Sequence, residues 1–171
     1  AGAAALLFSM TACGGTQTQT SASGAQTSAD GPKVGLIQLM ERPSLDEIRT
    51  AIEAELDAKL GENAYQYDYQ NAQGDTSTIA NICQKFVADD VDVIIAIATN
   101  AAQGAAAAVE GTDIPVIFSA VTDPQAAGLV TDPEKPDANI TGTSDAIPVD
   151  KIFDLAAELT PEVKSYGLIY N

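Results

Sequence analysis

Mostly uncharged polar side chains follow the apolar segments of this sequence, and their chemistry suits hydrogen-bonded recognition of a small molecule. Parallel α/β sheets bind ligands at such positions, beside the carboxyl ends of their strands. Thr99 and Asn100 are the strongest candidates, because they open an alanine-rich helix whose first backbone N–H groups can bind a carboxylate. Simple capping of that helix is the alternative role for both residues. The polar residues at the predicted strand ends are Gln38, Glu41, Arg42, Ser44, Gln70, Asn71, Gln73, Thr99, Asn100, Gln103, Ser119, Thr122 and Asp123.

The composition leaves little catalytic chemistry open. The 171 residues contain no histidine, which excludes Ser-His-Asp and Cys-His catalysis and every metal site that depends on histidine. Cys83 lies on the apolar face of a predicted helix and is interpreted as a core residue. Asp89, Asp90 and Asp92 form the densest acidic run, and we interpret them as a solvated turn, because they lie at the opposite end of the sheet from the expected site. We therefore predict no enzymatic activity, no cofactor and no metal site.

The net charge excludes two classes of partner. The chain carries 24 acidic and 8 basic side chains, for a formal net charge of −16 at pH 7. Nucleic acids and anionic lipid surfaces bind basic protein surfaces, which displace their counterions. Neither is therefore an expected partner.

The first 32 residues predict export and a lipid anchor. Residues 1–10 are apolar and too few to span a bilayer, as in the hydrophobic region of a secretory signal peptide. The sequence MTACG at residues 10–14 resembles the lipobox of bacterial lipoproteins, in which the cysteine thiol carries the lipid. We therefore interpret residues 1–13 as a signal peptide shortened at its start, with lipidation at Cys13. Residues 14–32 are rich in Gly, Ser, Thr, Gln and Ala, which predicts a flexible tether.

Strands and helices alternate after the tether. This alternation predicts an α/β fold with a doubly wound parallel sheet and right-handed crossovers, as in Rossmann or flavodoxin-like lobes. We assign residues 33–145 to an N-terminal ligand-binding lobe and residues 146–171 to the beginning of a second, incomplete lobe. The predicted strands are 33–39, 65–69, 92–98, 115–120 and 166–170, and the predicted helices run from Ser44 to about Gly61, from Asp75 through Val87, over 101–109 and over 150–159.

Local patterns add detail to these elements. Ser44 and Glu47 have the spacing of a capping box at the start of the first helix. Asp75 is interpreted as the cap of the second helix. Tyr65, Tyr67 and Tyr69 alternate along one strand, so they share one face, and we expect that face to pack under a helix.

Five stretches in this order resemble the ABC transporter substrate-binding proteins whose better-known members bind tryptophan or phenylalanine. The resemblance covers residues 33–171. It implies a type I periplasmic-binding-protein fold, in which two lobes close around the ligand. Relatives often have proline where Asn100 stands and histidine near Arg42, so the ligand can differ. The stretches are VGLIQL with PSLD (34–39 and 43–46), YQNAQGD (69–75), IATNAAQ (97–103), FSAVTDP (118–124) and NITGTSD (139–145).

The resemblance also implies a function and a site. The expected function is capture of a small solute, an aromatic or other apolar amino acid, outside the cytoplasm and its delivery to an ABC permease in the membrane. For such a ligand, Thr99 and neighbouring backbone amides would take the carboxylate and Asp145 would pair with the ammonium group. A sugar or purine receptor of the same fold, or a carboxylate-dependent extracytoplasmic enzyme, is the alternative. The ligand-binding residues carried over from the family are Gln38, Glu41, Thr99, Asn100, Ser119, Thr122, Asp123 and Asp145.

Overall fold

Five parallel strands form a single sheet in the order β2-β1-β3-β4-β5. The computed structural model describes residues 31–135 and 139–167. Helices cover both faces of the sheet, which confirms the predicted doubly wound α/β fold. In chain order the elements are β1 (Lys33–Gln38), α1 (Pro43–Leu60), β2 (Gln66–Asn71), α2 (Thr76–Ala88), β3 (Val93–Ile97), α3 (Thr99–Ala108), β4 (Val116–Val121), β5 (Ile140–Ser144) and α4 (Val149–Leu159).

The central strands are apolar on both faces because helices cover them on both sides. In β1, Leu36 packs in the cluster below α1, whereas its neighbour Ile37 packs in the cluster that contains α2 and α3. Gly35 lies under Phe86 of α2, and a Cβ at position 35 would approach that ring to 2.9 Å. The lack of a side chain at this position therefore lets α2 lie close to the sheet.

Helix α1 covers the two tyrosines of β2 and Tyr65, which directly precedes that strand, as predicted. Tyr65, Tyr67 and Tyr69 pack in the same apolar cluster as the inner residues of α1. Two of the three hydroxyl groups are hydrogen-bonded to α1: Tyr67 donates to Glu53 at 2.7 Å and Tyr65 donates to Asp57 at 3.0 Å. Burial raises the pKa of Tyr65 to about 12 and raises that of Tyr67 further. The edge strand and the helix are thus joined by apolar packing and by part-buried hydrogen bonds of two hydroxyl groups.

Helices α2 and α3 pack closely on the other face. Cys83 is fully buried between them and the sheet, which confirms its interpretation as a core residue, and burial raises the pKa of its thiol to about 12. Asp75 accepts a hydrogen bond from the Thr78 backbone N–H at 2.7 Å and caps α2 as predicted. At Gly104 of α3, a Cβ would lie 2.2 Å from Cγ2 of Ile79, so glycine sets the spacing of the two helices.

The predicted capping box at the start of α1 is wrong. The helix begins at Pro43, and Arg42 occupies the N-cap position. Among the described residues, no side chain accepts a hydrogen bond from the N-terminus of this helix. Proline suits the first helical position, because its fixed φ matches the helix and its missing N–H would have no partner there. Ser44 therefore lies inside the first turn, where it cannot act as the cap.

The sequence prediction misses strand β5. Its residues ITGTS have one large apolar side chain and lie at the edge of the sheet, where four of the five are exposed. Strand periodicity therefore has little to detect. Gly142 is required by close contact, since a Cβ there would approach the Phe118 carbonyl oxygen to 2.0 Å.

Several of the predicted features lie near the two ends of the sequence. The predicted signal peptide, Cys13 and most of the tether lie outside the described residues. Tyr166 and Gly167 are not in a strand, and the rest of the strand predicted at 166–170 also lies outside them. Within the described ranges, no helix has the length and apolarity needed to cross a membrane.

Candidate functional site

A cleft of ≈ 360 Å³ lies at the carboxyl ends of the strands, between the start of α1, the start of α3 and the end of β5. This is the position at which open parallel sheets bind ligands. Four of the predicted site residues, Thr99, Asn100, Thr122 and Asp145, line it together. The complete lining is Leu39, Met40, Arg42, Ser44, Leu45, Ala98, Thr99, Asn100, Ala120, Thr122 and Asp145.

The N-terminus of α3 opens into this cleft without a side-chain cap. Ala98 is the N-cap residue, and no described side chain accepts a hydrogen bond from the first turn. Thr99 and Asn100 are the first two helical residues, so the alternative that they cap the helix is wrong. Because the first N–H groups of a helix have no partner within it and carry partial positive charge, this end of α3 suits an anion.

The ends of β4 and β5 form the opposite part of the wall. Ser144 donates a hydrogen bond from its hydroxyl to the Thr122 carbonyl at 2.9 Å. The Asp145 backbone N–H donates to the Val121 carbonyl at 3.3 Å. These bonds hold the Asp145 backbone at the cleft, while its side chain is exposed to solvent.

Gln38 supports the cleft from behind. It is fully buried, and its Nε2 donates to the Met40 carbonyl at 2.8 Å and to Asp46 Oδ1 at 2.7 Å. Its Oε1 is buried without a partner among the described residues. The Gln38 amide thus joins the β1–α1 loop, which contains Leu39 and Met40, to the first turn of α1.

The other three predicted residues do not line the cleft. Glu41 is exposed in the β1–α1 loop. The Ser119 carbonyl accepts a hydrogen bond from the Ala98 N–H at 2.9 Å, which ties β4 to the start of α3. Asp123 accepts a hydrogen bond from the Ala126 N–H at 2.9 Å, so its carboxylate stabilises the turn after β4.

The charges of the lining suit a zwitterion. Arg42 is its one basic residue and Asp145 its one acidic residue. The guanidinium Nε of Arg42 lies 3.0 Å from the Met40 sulfur. A cation, a carboxylate and the positive end of α3 together can bind a molecule that carries both a carboxylate and an ammonium group.

Sequence reasoning missed the apolar part of the lining. This part consists of Leu39, Met40 and Leu45 and of the two small residues Ala98 and Ala120. In the sequence, the only indication that these residues line a site is their position beside the polar residues at the ends of β1, β3 and β4. Alanine in particular carries no recognisable binding chemistry.

A larger cavity, of ≈ 770 Å³, lies between the second half of α3 and residues 125–131. The amides of its two glutamines already bind backbone carbonyls, Gln103 that of Ala127 and Gln125 that of Thr131, both at 2.9 Å. The smaller cleft is therefore the better candidate, because it combines the strand ends with a helix N-terminus that has no side-chain cap.

The chain is similar to several known proteins. A family model described as "ABC transporter substrate binding protein" matches residues 33–171. The tyrosine-binding protein of Clostridioides difficile (strain R20291) is 46% identical over 141 residues, which are 81% of this chain and 40% of that protein.

Two solved structures are similar to the described fold. The ligand-free, open structure of a substrate binding protein with adhesive properties from Clostridium difficile is 42% identical, with a TM-score of 0.70, over 77% of this chain and 44% of that one. A Streptococcus pneumoniae domain in complex with L-Trp is 40% identical, with a TM-score of 0.71, over 78% of this chain and 45% of that one. The chain thus spans less than half the length of these relatives.

Proposed function

This chain belongs to the family of ABC transporter substrate-binding proteins, and from that membership we propose that it captures an amino acid outside the cytoplasm for delivery to an ABC permease. The observation that carries the proposal is the cleft itself. It joins the uncapped N-terminus of α3 to one basic and one acidic side chain, Arg42 and Asp145. The family binds substrates, so we expect binding without turnover.

The orientation of the solute follows from these charges. Its carboxylate binds the backbone N–H groups of Thr99 and Asn100, where the helix dipole favours an anion. Its ammonium group pairs with the Asp145 carboxylate. Thr122 borders the same space, and Ser119 and Asp123 act by shaping its wall.

An aromatic solute side chain suits the rest of the lining. Leu39, Met40 and Leu45 offer apolar contacts and a thioether, which pack well against aromatic rings. One similar protein is a tyrosine-binding protein, and another is a domain in complex with L-Trp. None of the residues that line the described cleft is aromatic, so a stacking platform of the kind that often binds sugars is missing from this wall.

A second lobe would close the cleft. The wall described above opens to solvent, and closure of two lobes around a ligand excludes water and adds contacts. Helix α4 supports a second lobe beginning at residue 146, because none of its residues, all of them described, is buried. Its large apolar residues are 40% to 72% exposed, with Phe153 at the lower limit and Leu159 at the upper one. Another part of the full-length protein would cover that surface.

We further propose that the protein is attached to the outer face of the bacterial cell membrane. Lipidation of Cys13 would provide the anchor, and residues 14–32 would let the binding lobe reach its permease. A covalent lipid anchor leaves the folded part in water, which agrees with the net charge of −16 of the chain.

The test is a calorimetric titration of the full-length, unlipidated protein with L-tyrosine, L-tryptophan, a hexose and a purine. We expect stoichiometric binding of an aromatic amino acid and no product by chromatography. Asp145→Asn should weaken that binding by roughly tenfold or more, because a charged hydrogen bond is lost. Asp113→Asn, an equal change of charge at an exposed position outside the cleft, is the control. Binding of the hexose or purine alone would refute the proposal, and so would an Asp145→Asn variant with wild-type affinity.

A further inference from the structure

Two alanines in the cleft wall have backbone conformations that favour glycine. Ala98 has φ +79° and ψ 157°, and Ala120 has φ +54°. The first of these combinations is found almost only for glycine, because the Cβ atom clashes with the backbone. Both residues line the cleft, and the two strand ends are joined by the hydrogen bond from the Ala98 N–H to the Ser119 carbonyl.

Each alanine occupies a structural feature that disfavours alanine and accepts glycine. The register of the β4–β5 pairing shifts between Phe118 and Val121, so Ala120 lies at a bulge or another irregularity of this pairing. A bulge residue with left-handed φ is normally glycine, and bulges are common beside functional sites. Ala98 is the N-cap of α3, where glycine is also favourable and alanine is among the poorest residues.

The local structure does not explain why these residues keep a side chain. The other described non-glycine residues with left-handed φ are Asn63, Gln73 and Asp90. Their side chains can bind nearby backbone groups, as an alanine methyl cannot. Glycine at positions 98 and 120 would keep the same backbone hydrogen bonds and relieve the strain. Because both residues line the cleft, each change would remove one methyl group from a lining residue.

We propose that the methyl groups of Ala98 and Ala120 are the specificity element of this cleft: they contact the side chain of the solute and limit its size. The assignment rests on the proposed function. The protein accepts a less favourable backbone at two adjacent strand ends, because the methyl groups improve the fit of one amino acid over a larger or smaller one.

The experiment compares wild type, Ala98→Gly and Ala120→Gly in the full-length protein, with L-tyrosine and L-tryptophan as the probes. Each glycine variant should melt about 2 to 4 °C above wild type, because backbone strain is relieved. Its Kd for the preferred amino acid should rise roughly threefold to tenfold, the expected effect of one lost methyl contact. The ratio of the two Kd values should also change, since a loss of size selection affects the two side chains differently.

Asn63→Gly is the matched control, because it relieves the strain of a left-handed backbone conformation in the α1–β2 loop, outside the cleft. It should leave both Kd values unchanged. The assignment would be overturned if the Ala98→Gly and Ala120→Gly variants kept the wild-type Kd values, or if both Kd values rose by the same factor, as general loosening would produce. A wild-type protein that binds neither amino acid would instead refute the proposed function, and the assignment with it.

Discussion

Replacing Gln38 by glutamate should make the stability of this protein strongly dependent on pH. The Gln38 amide is fully buried and donates to Asp46 Oδ1 at 2.7 Å and to the Met40 carbonyl at 2.8 Å. In Gln38→Glu the donor NH₂ group becomes an oxygen that faces both acceptors. An ionised carboxylate would then be buried beside a second carboxylate, which is among the least favourable arrangements in a protein interior.

The magnitude follows from the pKa of the introduced carboxyl. Burial and the neighbouring Asp46 should raise it to about 6 to 8 in the folded state, against about 4.3 in the unfolded chain. Because the folded-state pKa is the higher one, the stability of the variant is greatest below about pH 4.3 and falls as the pH rises towards the folded-state value. Each pH unit between the two pKa values lowers the free energy of unfolding by about 1.4 kcal/mol. The loss of stability at pH 7 is therefore about 2 to 4 kcal/mol.

The assay is urea unfolding of wild type and Gln38→Glu at pH 4 and pH 7. The difference between the two proteins should be small at pH 4, where the protonated carboxyl can still donate one hydrogen bond, and large at pH 7. Gln84→Glu is the control, because it makes the same chemical change at an exposed position of α2. A Gln38→Glu variant with the same deficit at both pH values would refute the buried contact between Gln38 and Asp46.

Two further predictions concern helices α2 and α3. In Gly104→Ala the new methyl would lie 2.2 Å from Cγ2 of Ile79, so the helices must move apart. We expect the free energy of unfolding, measured with urea, to fall by about 1 to 3 kcal/mol. A stabilised variant would contradict this packing. Asp75→Ala should lower the melting temperature at pH 7 by removing the cap of α2. Hydrogen bonds from Thr78 lower the pKa of Asp75, so its contribution is present above the unfolded-state pKa and is lost as the pH falls through the folded value. A difference in melting temperature that is equal at pH 7 and pH 2 would contradict that role.

The elements with a strong apolar pattern are predictable from the sequence. Strand β3, VIIAI, and the alternating tyrosines of β2 are found close to where periodicity places them. Strand β5 is not, because an exposed edge strand needs no apolar face. Ser44 misleads because Pro43, which precedes it, takes the first helical position.

The sequence predicts the location of the candidate site better than the conformation of its residues. Thr99, Asn100, Thr122 and Asp145 come together because the carboxyl ends of parallel strands meet at one edge. The direction of Gln38 follows from the period of two along β1, which puts it on the same face as Leu36, under α1. The conformation of Ala98 depends on tertiary hydrogen bonds, and alanine by itself gives no sign of it.

The most direct test of the proposed capture of an amino acid is a crystal structure of the full-length protein with L-tryptophan or L-tyrosine. We predict that the ligand carboxylate lies about 3 Å from the backbone nitrogens of Thr99 and Asn100, and its ammonium group at hydrogen-bonding distance from Asp145. A ligand bound in the larger cavity beside residues 125–131, or a ligand whose carboxylate points away from α3, would contradict the account.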